Sequence, residues 1–183
     1  MSVAKRVFVE DCFIRACDDC VCIKACALPG PAACCNVRDI KVRRCVLWNA
    51  EPGNALEIGY ELRCNEVSDV VFEDCDIIHC EYEGNQSGGV LTIHNADRAK
   101  VHNVRYENIR IEDAQEKLVD IKILDCKYSL DRVRGDVENI VFRNIDVTGP
   151  LFPVSIIRGF EMTNEMHRPR DIRFENVTVQ GRT

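Results

Sequence analysis

The sequence predicts an all-β fold, a right-handed, single-stranded parallel β-helix of about six coils. Three observations point to it: a pattern that recurs six times, short alternating strands in every repeat, and no long 3.6-residue period. The recurring unit is an aliphatic, any residue, an apolar residue, any residue, often Asn or Asp, then Cys or an aliphatic. Its copies are VFVEDCFI (7–14), IKVRRCVL (40–47), VVFEDCDI (70–77), VRYENIRI (104–111), IVFRNIDV (140–147) and IRFENVTV (172–179). Their starts lie 33, 30, 34, 36 and 32 residues apart.

Alternation of apolar and polar residues is the strand period. β-branched residues, Phe and Tyr fill the inward positions, as strands prefer. A second strand follows each of the first five copies: CVCIK (20–24), ALEIG (55–59), VLTIH (90–94), LVDIK (118–122) and PVSII (153–157). The links, such as AEPGN and EDAQEK, are short and polar. Pairing the units as hairpins would break the constant order of their patterns. Stacking one coil on the next, about 4.8 Å apart, keeps equivalent positions in register. A β-sandwich has no reason for a repeat of this length, and a propeller blade needs four strands.

Stacking turns equivalent positions into ladders. Asp11, Asp74, Asn108, Asn144 and Asn176 form a polar turn ladder, interrupted by Arg44. The next position runs Cys12, Cys45, Cys75, Ile109, Ile145, Val177. Cysteine exchanges with aliphatics there and is expected to pack as one.

The 183 residues suit one domain, 1–183. No capping segment precedes Val7, so the first coil presents an open edge. The chain is therefore expected to be the C-terminal part of a longer β-helix, lacking its N-terminal coils, or to self-associate through exposed ends. A net charge of −6 argues against a nucleic-acid surface. No apolar run approaches the roughly 18 residues of a membrane span. The first residues, MSVAKRVFVEDC, hold no apolar signal-peptide core, and no compartment is assigned.

Of twelve cysteines, eight lie from Cys12 to Cys45. A disulfide scaffold is usually shorter and spread over the whole chain, so most of these thiols read as reduced. Cys17-x-x-Cys20 with Cys34-Cys35 offers one paired spacing where structural zinc uses two. No metal and no cofactor is expected.

Asp18 and Asp19 sit at the corner before the second strand of the first coil, where both can reach the outer groove. A carboxyl pair suits a glycosidase, in which one protonates the leaving oxygen and another activates water. Stacking adds Lys24, Asn54, Glu57, Tyr60, Glu61, Thr92 and His94 to the same groove. Asp is also a common turn residue, Glu57 and Glu61 read as solvated face residues before catalysts, and His94 as a surface or internally satisfied histidine before a base.

DDCVCIK (18–24), followed one coil later by GNALEIG (53–59), resembles the polygalacturonase-like glycoside hydrolases, family 28 and its β-helical relatives in the pectin lyase-like superfamily. Their pattern is an Asp-Asp-Cys-aliphatic-Ala-Ile-Lys strand and then Gly-His-Gly-aliphatic-Ser-Ile-Gly. The resemblance implies a carbohydrate substrate and inverting hydrolysis, with Asp18 as general acid and Asp19 holding the water. The family's third catalytic Asp lies one coil earlier, upstream of Met1. The family's His falls on Asn54, and its Arg-Ile-Lys on Thr92-Ile93-His94; Asp120-Ile121-Lys122 matches Ile-Lys one coil too late. Pectin recognition needs that basic pair for the uronate carboxylate, so a neutral-glycan hydrolase is expected rather than a pectinase. Trp48 reads as a sugar-stacking platform or as a filler at a strand end. The alternative to an enzyme is a non-catalytic β-helix offering a glycan-binding or assembly surface.

Overall fold

The computed structural model describes residues 4–26, 36–81, 88–163 and 165–183. Fifteen strands and no helix occur among them. In chain order they are β1 (Lys5–Glu10), β2 (Phe13–Ala16), β3 (Val21–Ala25), β4 (Val37–Arg43), β5 (Val46–Asn49), β6 (Leu56–Leu62), β7 (Glu66–Cys80) and β8 (Leu91–Asn95). There follow β9 (Lys100–Ile111), β10 (Lys117–Ile123), β11 (Asp136–Val147), β12 (Val154–Arg158), β13 (Phe160–Met162), β14 (Glu165–His167) and β15 (Arg170–Val179).

Two parallel sheets run the length of the stack. One has the order β1-β4-β7-β9-β11-β15, with β2 and β5 continuing the first two rungs. The other has the order β12-β10-β8-β6-β3. The six copies of the sequence pattern are the rungs of the first sheet, and the five second strands are the rungs of the other. This is a parallel β-helix. The antiparallel pair β13–β14 is an addition that the repeat did not foretell.

The coils turn at single residues. Asp11, Arg44, Asp74, Asn108, Asn144 and Asn176 all have φ between 51° and 55°. A left-handed residue swings the chain without an inserted loop, and Asn and Asp tolerate it best. Their side chains then link the rungs: Asn108 donates to Asp74 at 2.9 Å, Asn144 to Asn108 at 2.8 Å and Asn176 to Asn144 at 2.8 Å. Arg44 interrupts the pattern but not the ladder, because its guanidinium grips Asp11 at 2.6 and 2.8 Å. A second left-handed column, Arg6, Asp39, Asp69, Asn103, Asn139 and Asp171, turns the chain five residues earlier in each rung.

Phe72, Tyr106 and Phe142, all buried, stack with Phe174, exposed on the last rung, with centroids 4.8, 4.8 and 5.0 Å apart, close to the coil rise. Cys45 and Cys75 are buried beside Ile109 and Ile145, where the sequence put small hydrophobes. Burial pushes the Cys75 thiol up to about 12, which keeps it a neutral packing group. Cys12, on the outermost rung, is exposed. No disulfide joins the described cysteines; Cys34 and Cys35 lie outside the described residues.

Candidate active site

The second sheet points Ile23, Ile58, Ile93 and Ile121 into the core, one above the other. Its alternate positions face the other way. They stack Cys22, Glu57, Thr92 and Asp120 in one column, and Gly59, His94 and Lys122 in the next. The period of two thus gathers polar side chains from four coils onto one face.

Asp18 and Asp19 lie at one end of this face, in the corner before β3. Asp18 is exposed and Asp19 half-buried. The Asp19 N–H donates to Asp18 Oδ1 at 2.9 Å, and the buried Asn49 amide holds the Asp18 carbonyl at 2.8 Å. Gly53 lies against this corner with φ of 133°, and a Cβ there would meet the Asp18 carbonyl carbon at 2.5 Å. Only glycine lets the next coil pass so close.

Asn54 joins the corner to the column behind it. Its backbone N–H and side-chain amide both donate to Asp19 Oδ1, at 3.0 and 2.8 Å. The amide donates as well to Glu57 Oε2 at 2.8 Å, while Asn54 Oδ1 accepts the Gly89 N–H at 3.0 Å. That last bond fixes which end of the amide faces the carboxylates.

From Glu57 the chain runs inward. Glu57 Oε1 lies 2.9 Å from His94 Nδ1, and His94 Nε2 lies 3.4 Å from Asp120 Oδ2. Lys122 donates to the same Asp120 oxygen at 2.7 Å. Glu57, His94 and Asp120 are buried, not solvated polar positions. Burial pushes the Glu57 carboxyl up to about 7, with His94 pulling the other way and the Asp19 charge adding to the rise. Burial alone would lower the His94 pKa, but the Asp120 and Glu57 carboxylates outweigh it and hold it above the ordinary value. Asp120 is held low against its own burial by His94 and Lys122.

A cover explains the burial. Tyr60 stacks on His94 at 4.6 Å, and Tyr128 packs on Tyr60 at 5.4 Å. Tyr128 belongs to a segment over residues 124–134 that Asp97 ties down, accepting the Leu130 and Asp131 N–H groups at 2.9 Å each and the Leu62 N–H at 3.2 Å. Asp97 and Tyr128 carried no signal in the repeat, since both lie between strands. Lys24 and Glu61 form a partly exposed ion pair of 3.1 Å on the neighbouring coils.

The structure brings together Asp18, Asp19, Asn54, Glu57, His94 and Tyr60, and does not bring in Trp48. The Trp48 ring lies on the other sheet, with the Arg15 guanidinium 4.3 Å over it and the His79 ring stacked at 4.9 Å. Asp19, Cys22 and Glu57 have ligand-type atoms within 4.8 Å of one another. Their acceptors are already engaged by Asn54, and the Cys22 thiol donates to the Gly59 carbonyl at 3.0 Å. Burial, reinforced by Glu57 and Asp19, raises that thiol far above its usual range. Three ligands with a protonated sulfur do not make the tetrahedral set of a structural zinc site.

The acidic corner of this parallel β-helix is followed one coil later by a glycine-locked polar residue. The family described as glycosyl hydrolases family 28 matches residues 1–183. The chain belongs to this family. No curated protein matches it. Membership of family 28 brings with it a glycosidase function and a carbohydrate substrate. His94 is an internal partner of Glu57.

Proposed function

We propose that residues 1–183 form a single β-helical catalytic domain that hydrolyses O-glycosidic bonds of a neutral glycan, with inversion. Asp18, exposed at the corner, donates the proton to the leaving oxygen. Asp19 orients the attacking water and takes its proton. Asn54 fixes the Asp19 carboxylate by gripping one of its oxygens twice. Lys24 and Glu61, both partly exposed beside the corner, supply the sugar contacts, while Tyr60, covered by Tyr128, packs on His94.

The observation that carries the neutral substrate is the fate of the cations. A uronate needs an accessible basic group to meet its carboxylate. His94 is sealed between Glu57 and Asp120, Lys122 is buried against Asp120, and Lys24 is paired with Glu61. The test is to assay the full-length protein on matched neutral and uronic-acid glycans, following the anomer of the product by NMR. The expected result is turnover of a neutral glycan with the opposite anomer formed first. Preference for a polyuronide overturns the substrate reading; binding of glycans without turnover favours the non-catalytic surface instead.

A further inference from the structure

Family 28 chemistry at the Asp18–Asp19 corner does not by itself account for Glu57. A buried carboxyl is costly unless something holds it, and this one has been built in with care. Its two oxygens have separate partners, the Asn54 amide on one side and His94 on the other. The Asn54 amide is shared with Asp19, so the two carboxyls hang on one rigid group whose orientation a backbone N–H fixes.

We propose that Glu57 is a positioning residue for the water-activating carboxylate: while neutral it holds Asp19 in place through the common Asn54 amide, and it loses that hold when it ionises. The proposal rests on the reading of Asp19 as the base. Two carboxyls within 4.8 Å carry a single negative charge without conflict; two anions at that distance repel. Burial decides which of them keeps the proton. Glu57 is sealed from solvent while Asp19 is half-open, so burial favours the neutral form at Glu57.

The groups facing Glu57 come from every neighbouring element. Asp19 and Cys22 lie on the coil below, with Lys24 further along β3. His94 lies on the coil above, backed by Asp120, and the Tyr106 phenol approaches from β9. Among these, His94 is the one whose proton couples directly to that of Glu57, so the two titrate as a pair. The raised Glu57 value of about 7 puts the loss of its proton near neutrality. Below that pH Asp19 is held; above it Asp19 faces a second negative charge.

The test is the pH dependence of kcat in wild type and in Glu57→Gln, with Glu57→Ala and Asp18→Asn beside them. Wild-type kcat is expected to fall as pH rises through about 7. Glu57→Gln is uncharged at every pH; its amide oxygen still accepts from Asn54, and its NH2 meets His94 Nδ1, which accepts in the neutral tautomer. It is expected to keep kcat within about fivefold at pH 6, with KM within twofold, and to move that limb up by a unit or more. Glu57→Ala loses kcat at both ends. An unmoved limb in a folded Glu57→Gln enzyme overturns the proposal. If that variant does not fold, ¹³C NMR of the labelled Glu57 carboxyl in the wild-type protein decides. A midpoint that tracks the activity limb supports the proposal, and one below pH 5 overturns it. Asp18→Asn separates the two readings: if it stays active, the corner assignment fails, whereas an inactive Asp18→Asn with an unmoved Glu57→Gln limb sinks this inference alone.

Discussion

Glu57 Oε1 lies 2.9 Å from His94 Nδ1, with both side chains shut off from solvent. An acid and a base buried against each other titrate as a pair rather than singly. Both pKa values are raised, so the folded protein holds protons here more tightly than the unfolded chain does.

That binding ties stability to pH. A group whose folded pKa lies above its unfolded value contributes most below the unfolded value, and the contribution is lost as pH rises through the folded one. For Glu57 the window runs from 4.5 to about 7, on the order of 3 kcal/mol. His94 adds a loss in the same direction, starting from 6.5. Asp120 acts oppositely, because its lowered pKa costs stability as pH falls below 3.8. Thermal melts should therefore give a higher Tm at pH 5 than at pH 8, and Glu57→Gln should flatten the difference. A Tm that rises steadily from pH 5 to 8 would contradict the buried pair.

Gly53→Ala should damage activity more than stability. Its Cβ would meet the Asp18 carbonyl carbon at 2.5 Å and the Asp19 nitrogen at 2.7 Å, so the corner must move. A displacement of about 1 Å at reacting groups can cost on the order of 100-fold in rate. We expect kcat to fall at least tenfold while the far-UV circular dichroism stays that of the wild type. Full activity in the substituted protein would mean that the corner is not where the chemistry happens.

Asn144 offers a test of the turning mechanism. It holds φ of 53°, donates to Asn108 and accepts from Asn176. Asn144→Ala loses both rung links and puts an ordinary residue in the left-handed region, at a cost of about 1–2 kcal/mol. Asn144→Gly loses the links but not the backbone fit, and should fall between alanine and wild type in urea denaturation. Equal midpoints for alanine and glycine would remove the left-handed turn as the cause.

The rungs were readable because one coil repeats another. Phe72, Tyr106, Phe142 and Phe174 occupy one place in the pattern and form one stack. The Asn ladder was readable for the same reason, and even Arg44 kept its place by replacing an amide link with an ion pair. The second left-handed column was missed although its signal was present: Asp or Asn stands directly before five of the six copies, at Asp39, Asp69, Asn103, Asn139 and Asp171, with Arg6 before the first, one residue outside the pattern as it was framed. At the site, the alternation correctly put Glu57 and His94 on the face away from the Ile column. It did not tell that this face is covered. Tyr128 comes from a non-repeating segment, so the lid over Tyr60 and His94 leaves no trace in the period. A polar residue at an outward position looks solvated until such a segment is seen to lie across it. The bond from Asn54 to both Asp19 and Glu57 was hidden for a similar reason, since it depends on the Gly89 backbone from a third coil.

The central claim is that the exposed Asp18 protonates the leaving group while Asp19 activates water. Turnover of the full-length protein and its Asp18→Asn form on the best neutral glycan tests it most directly. The amide is nearly isosteric and can still accept the Asp19 N–H, so the corner should keep its shape. The account predicts a fall in kcat of at least 100-fold with KM within about threefold, as expected for a lost general acid. Turnover by Asp18→Asn equal to that of the wild type would contradict it.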